Sequence, residues 1–346
     1  MSTTSGTGTR DAAPDQTTAP PRRSRRAELT AERNRLGVYL VAPTIVLLAI
    51  VILYPVGRAI YMSFQKDPGL NTATGLFVNG GFAGLKNYTH WLFQRCNSAT
   101  GGTVSCPPGS LGALFWPSMW TTVFFTVATV VIEVCLGMWM AIIMNRAFRG
   151  RGLLRASVLV PWSIPTAVTA KLWLFIFAFQ GIANSLFRTH ILWTGDEWPS
   201  RMAIVIADVW KTTPFIALLI LAGLQLIPTE VYEAAKVDGA SAWQRFTRVT
   251  LPLVKPALLV AVLFRMLDVL RIYDLPAILT QGGGGTGHAT TTLSILVVDQ
   301  IRQGFNSAAA LSTITFLFIF LIAFVFVKVL GANVVRTQQR QQKGAR

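Results

Sequence analysis

Six apolar stretches, about residues 36–64, 118–145, 153–179, 202–226, 254–279 and 308–330, each exceed the roughly 18 residues that carry a helix across a bilayer. No single soluble core can use so many long apolar runs. Charged residues make up 13% of the chain and hydrophobic ones 52%, a balance that suits lipid as the solvent. The expected fold is an all-α membrane protein with six transmembrane helices.

The formal net charge of +16 would suit nucleic acid if the basic residues shared one face of a soluble domain. They gather at the ends of the apolar runs instead. Of 31 Lys and Arg, seven precede the first run, four flank the turn between the second and third, four lie about the loop between the fourth and fifth, and five close the chain. By the positive-inside rule these mark the cytoplasmic side and place both termini there, with no nucleic-acid partner implied. Residues 1–35, rich in Ser, Thr, Pro, Gly and Arg, read as a disordered cytoplasmic tail rather than a signal peptide. Arg22, Arg23, Arg25 and Arg26 in it are expected to fix topology and touch anionic lipid. A transmembrane domain over 36–331 and a second basic cytoplasmic tail over 332–346 complete the division.

Proline and glycine punctuate the runs. Pro161 and Pro165 lack the amide protons that a membrane helix needs, so the third span should be kinked or broken there. Pro214 lies in the fourth span, and Gly282 to Gly285 close the fifth. Cys96 and Cys106 share one predicted outer loop; they pair if that side is oxidising and otherwise stand as two free thiols. Cys135, inside an apolar run, reads as a packing residue.

The segment PTEVYEAAKVDGASAWQRFTRVTLPLVKP, between spans four and five, has the densest local signals. Thr229 can cap a short helix over Glu230–Val237, with Glu230 and Glu233 at the positive end of its dipole. Asp238 and Gly239 break that helix. Ser241 with Gln244 three residues later is a capping-box signature, so a second short helix should run from there towards Val249 and stop at Pro252. Capping alone would fit any cytosolic helical hairpin.

At Glu233, Ala234, Ala235, Asp238, Gly239, Ala240, Leu251 and Pro252 the segment resembles the EAA motif of binding-protein-dependent ABC importer permeases. The segments LFRMLDVLRIYDLPAILTQGGGG and VWKTTPF, with Gly84, Leu85, Asn87 and Tyr88, are similar to the carbohydrate branch of that family. The stretch from Arg95 to Gly109 departs from it as an apparent insertion. The resemblance implies a multi-pass permease of the bacterial inner membrane whose loop docks as a coupling helix on a cytoplasmic ATPase subunit. It further implies a second permease, two ATPase subunits and an extracytoplasmic sugar-binding protein as partners. ATP and Mg would bind the ATPase, with no cofactor in this chain, and the cargo would be a carbohydrate, a di- or oligosaccharide such as trehalose or maltose.

Arg265, Asp268, Arg271 and Asp274 recur at spacings of three, which on one helix sets each beside the next. A charge at the bilayer centre costs about 2.5 to 3.5 kcal/mol on insertion scales, so these groups should pair or face a polar cavity. Two readings stay open: a structural ion-pair ladder, or the lining of a translocation path. Sugars also need aromatic faces, and Trp162, Trp173 and Trp210 qualify, although membrane-border belts hold many tryptophans. Lys171 and Lys211 fit snorkelling side chains. The sequence has no zinc-type cluster and no hydrolase triad, and its glycine run lacks the Lys and Ser or Thr of a Walker A loop, so an enzyme is not expected. An ion-coupled secondary transporter with a charge relay, or an ABC permease for amino acids or peptides, are the rival readings.

Overall fold

The computed structural model describes residues 35, 37–70, 76–97, 102–284 and 287–331. The tail expected over 1–35, Arg35 apart, lies outside them, as do Gly285 and the tail over 332–346. The described residues divide between Arg58 and Ala59 into two units.

The described residues are mostly helical, with three short two-stranded antiparallel pairs between Gln65 and Ser105. The first, α1, runs Gly37–Ser63. It contains a π turn at Ala49–Leu53. The turn sits just ahead of Pro55, whose missing amide disturbs the regular ladder. Next come α2 (Lys86–Leu92), α3 (Phe115–Asn145), α4 (Arg151–Ser163), α5 (Thr166–Ile176), α6 (Ile182–Phe187) and α7 (Glu197–Gln225). The chain continues through α8 (Thr229–Val237), α9 (Ala242–Arg245), α10 (Leu251–Val269), α11 (Asp274–Leu279), α12 (Leu293–Ile301) and α13 (Phe305–Phe326). Among the described residues five helical segments are long and apolar enough to cross a membrane: Gly37–Ser63, Leu111–Asn145, Glu197–Gln225, Ala242–Val269 and Phe305–Val329. A sixth crossing exists only if α4 and α5, bent by 90° at their junction, count as one.

The break falls at Ile164 and Pro165, between the two helices, while Pro161 is held inside α4. Proline forces the preceding residue towards extended backbone, and Ile164 has ψ 131. The carbonyl that this frees accepts a hydrogen bond from Lys211 Nζ at 2.6 Å. Lys211 therefore satisfies a broken helix rather than reaching for the membrane border.

The centre of the second unit is the pair α3 and α7, with α10 packed on both. Glycine permits the close approach. A Cβ on Gly137 would meet Ile216 Cγ2 at 2.8 Å, and one on Gly223 would strike Ala257 Cβ on α10. Met138, Ala141, Ile216, Ile220 and Val254 fill the core at this crossing, and Phe125, Ile204, Ala207 and Val269 fill it further along. Buried hydroxyls along α3 are satisfied within the helix: Thr122, Thr126 and Thr129 donate to the carbonyls of Ser118, Thr122 and Phe125 at 2.7 to 2.8 Å. Cys135 is exposed on α3 and so does not pack into the core as its apolar neighbourhood suggested.

Two sequence expectations for the fifth span are corrected. Pro252 does not stop a helix: Ala242–Val269 is continuous, and the π turn at Phe246–Thr250 just ahead of the proline accommodates its missing amide. At the far end the helix stops at Val269, not near Leu279, and α11 starts after a four-residue break.

Candidate functional site

Two charged or polar constructions stand out, one deep between helices and one at the surface. The deep one centres on Arg265, which is 3% exposed. Its guanidinium meets Glu133 of α3 side-on, with Nε 2.7 Å from Oε2 and Nη2 3.0 Å from Oε1. The same Nη2 donates to Asp208 of α7, and Nη1 donates to Asp268 Oδ2 at 2.5 Å. Thr212 adds its hydroxyl to Glu133 Oε1 at 2.5 Å. One planar, always-charged fork thus ties three helices together, a geometry that Arg can supply and Lys cannot. Glu133 and Asp208 are buried with it, whereas the Asp268 side chain is 69% exposed.

The ladder expected from the spacing of three is only partly present. Arg265 and Asp268 pair, but Arg271 lies beyond the end of α10 and donates from Nε to the Leu267 carbonyl at 3.2 Å. Asp274 opens α11. The helix break removes the common face that the spacing required. Sequence reasoning missed Glu133 and Asp208, although each is a carboxylate inside an apolar run and therefore costly without a partner. That cost was the available signal.

The tryptophans gather beside the broken helix pair. Trp162 stacks on Phe215 at 5.9 Å, and Trp210 meets Trp173 edge-on at 5.7 Å. Trp173 in turn stacks on Phe177 and Phe177 on Trp193, making a continuous aromatic row. Trp162 and Trp210 remain 47% and 37% exposed, which leaves ring faces accessible.

The exposed construction is the hairpin of α8 and α9. Pro228, not Thr229, occupies the N-cap of α8, so Thr229 is the first helical residue and makes no cap bond. The helix exits through Asp238 and Gly239, with Gly239 at φ +77 and Ala240 N donating to Ala235 O at 3.0 Å. Ser241 forms the capping box: its amide donates to Gln244 Oε1 at 2.8 Å, and the Gln244 amide donates back to Ser241 Oγ at 3.3 Å. Arg245 Nη1 then closes the corner onto Ala240 O at 2.6 Å. No residue of α8 is buried, and Val237 and Trp243 are 88% and 71% exposed. Leu251 and Pro252 start α10, so the hairpin runs directly into the helix that carries Arg265.

The family described as binding-protein-dependent transport system inner membrane component matches residues 133–336, which contain the hairpin, Glu133, Asp208 and Arg265. The chain belongs to that family. Among the relatives of this permease, the trehalose/maltose transport system permease protein MalF of Thermococcus litoralis is 37% identical over 309 residues, 88% of this chain and 96% of the relative. The trehalose transport system permease protein SugA of Mycobacterium tuberculosis is 39% identical over 321 residues, 92% and 95% of the two chains. In fold, the permease matches a crystal structure of a bacterial ABC transporter that imports the acidic polysaccharide alginate, with TM-score 0.66, 19% identity and coverage of 90% and 99%. The protein is a multi-pass inner-membrane transport component, not an enzyme.

Beyond the family match, the disulfide that the sequence left open is formed. Cys96 and Cys106 are joined with their Cα atoms 4.8 Å apart.

Proposed function

We propose that this permease is one of two membrane subunits of an ATP-driven importer for a carbohydrate, a di- or oligosaccharide such as trehalose or maltose. The observation that carries the reading is near-full-length identity of 37% and 39% to two permeases named for trehalose/maltose and trehalose transport. The partners are a second permease, two cytoplasmic ATPase subunits that bind ATP and Mg, and an extracytoplasmic binding protein that delivers the sugar.

The α8–α9 hairpin is the coupling element, with Glu233, Ala234, Ala235, Asp238, Gly239 and Ala240 at the ATPase surface and Leu251 and Pro252 leading into α10. Its support is geometric: an exposed, capped hairpin in line with a helix of 28 residues. A displacement at the hairpin moves α10, and Arg265 passes that motion to α3 and α7. Cytoplasmic termini follow from the basic flanks, with six crossings when α4 and α5 count as one broken span. The Cys96–Cys106 bond belongs in an oxidising compartment, which favours the opposite side for its loop. Of the four charges around the end of α10, Asp268, Arg271 and Asp274 are exposed and form the polar end of the path, with Arg265 buried behind them as the joint and Trp162 and Trp210 offering ring faces to sugar.

The test is co-purification from native membranes, followed by ATPase assay of the complex with binding proteins loaded with trehalose, maltose or other sugars. Stimulation by one loaded protein supports the importer and names its cargo. A chain that purifies without an ATPase partner overturns the reading.

A further inference from the structure

Beside α2 and the strands Arg95–Asn97 and Thr103–Ser105 the chain builds a cleft of about 1220 Å³ that shares no lining residue with the charged hub or the α8–α9 hairpin. Lys66, Lys86 and Arg95 line it together with Asp67. Asp67 is already committed: its carboxylate accepts the backbone amides of Asn306 and Ser307 at 2.5 and 2.9 Å and caps α13. The three cations are exposed, and none makes an ion pair among the described residues. Three cations against one carboxylate leave the cleft with a net positive charge.

One wall is rigid. The strands Arg95–Asn97 and Thr103–Ser105 pair antiparallel, and the Cys96–Cys106 bond closes them. The Cys106 amide donates to Gln94 O at 2.8 Å, and Gln94 Nε2 donates to Ala113 O at 2.8 Å. A Cβ on Gly112 would lie 2.7 Å from Cys106 Sγ, so the hairpin is pressed against the entry to α3. Asn87 fixes the opposite side by donating to the carbonyls of Ser63 and Gln65 at 2.9 and 2.7 Å. A cleft held this way fixes the backbone that carries its charges before a partner arrives, which lowers the ordering cost of association.

Size and charge together select the occupant. Small-molecule sites span roughly 300 to 1,000 Å³ and are mostly apolar, whereas this space is larger and its rim is cationic. We propose that the cleft receives an acidic surface loop of the extracytoplasmic binding protein, with Lys66, Lys86 and Arg95 as its charge partners and the disulfide-closed hairpin as a fixed wall. This rests on the importer reading above and adds to it the chemistry of the docking partner.

The experiment uses the complete complex in lipid and titrates ATPase activity with the sugar-loaded binding protein that stimulates it. The variant Lys66→Gln/Lys86→Gln/Arg95→Gln should raise the half-saturating concentration by about fivefold or more at low salt and flatten its dependence on ionic strength, with the maximal rate kept. The charge-conserving variant Lys66→Arg/Lys86→Arg/Arg95→Lys should titrate close to the unmodified complex. A neutralised variant with unchanged half-saturation and salt dependence overturns the proposal and leaves the importer standing. An unmodified complex that no binding protein stimulates fails at the earlier step and takes both readings with it.

Discussion

The Arg265 hub and the α8–α9 hairpin are both held by polar groups, yet they are opposite kinds of construction. The capping and exit bonds of the hairpin join residues no more than five positions apart, where surrounding water can replace them, and Tyr232 Oη adds a longer tie to Thr250 Oγ1 at 3.2 Å. In the hub, Arg265 reaches 132 positions back to Glu133 and 57 back to Asp208, where no water is at hand to take over. The hairpin is thus a shape that can be presented to a partner, and the hub is a joint that cannot be opened cheaply. A force entering at one and held at the other passes along a single helix.

The largest expected effect breaks the joint. Arg265→Leu strands two buried carboxylates, and removing one partner of a buried pair costs about 3 to 5 kcal/mol. Thermal unfolding of the detergent-solubilised complex should show a large loss. Adding Glu133→Gln and Asp208→Asn should recover most of it, because a neutral cluster of similar volume no longer carries uncompensated charge. If Arg265→Leu alone melts like the unmodified complex, the hub does not hold the helices together.

Next in size is Lys211→Met, which keeps the aliphatic stem and removes the ammonium that serves the Ile164 carbonyl at 2.6 Å. A hydrogen bond to a charged group contributes about 1.5 to 3 kcal/mol. Amide exchange should quicken around residues 163–166, at the 90° break, before it does in α3. Uniform exchange in the variant would show that the break is held by other means.

How much of this could be read from the chain follows the same division. The hairpin was legible almost residue by residue, since a capping box and a glycine exit are local patterns; only the cap at Thr229 and the stop at Pro252 were misread. Both misreadings come from continuity: Pro228 already supplies the entry to α8, and the π turn at Phe246–Thr250 lets the chain pass Pro252 without losing the helix. The broken third span was legible from Pro161 and Pro165, but not the ammonium that completes it. The hub was half legible. Spacing put Asp268 beside Arg265, while Glu133 and Asp208 come from other helices, and no periodicity along one run reveals which lone carboxylates in two others it will meet. The same spacing then overreached to Arg271 and Asp274, because nothing local announced that α10 ends at Val269.

On the hairpin the expected effects are smaller in stability and larger in function. Gly239→Val places a β-branched residue at φ +77, a conformation that costs an L-residue about 1 to 2 kcal/mol. The hairpin should shift its angle rather than unfold the protein, since no core residue depends on it. In proteoliposomes, ATP hydrolysis should continue while sugar uptake falls; normal uptake would remove the coupling role from this corner.

Ser241→Ala should be the mildest change and the sharpest test of locality. It deletes the acceptor for the Gln244 amide, and losing an N-cap side chain costs about 1 kcal/mol. The loss has nowhere to spread, because α9 runs on into α10 and the helix beyond the first turn is set by packing against α3 and α7. Amide exchange should therefore rise at Gln244 and its neighbours and remain as before at Arg265 and Glu133. Exchange that rises at the hub as well would mean that the two regions share one cooperative unit in the resting state, so that the long helix transmits not only a push from the hairpin but its thermal fraying too.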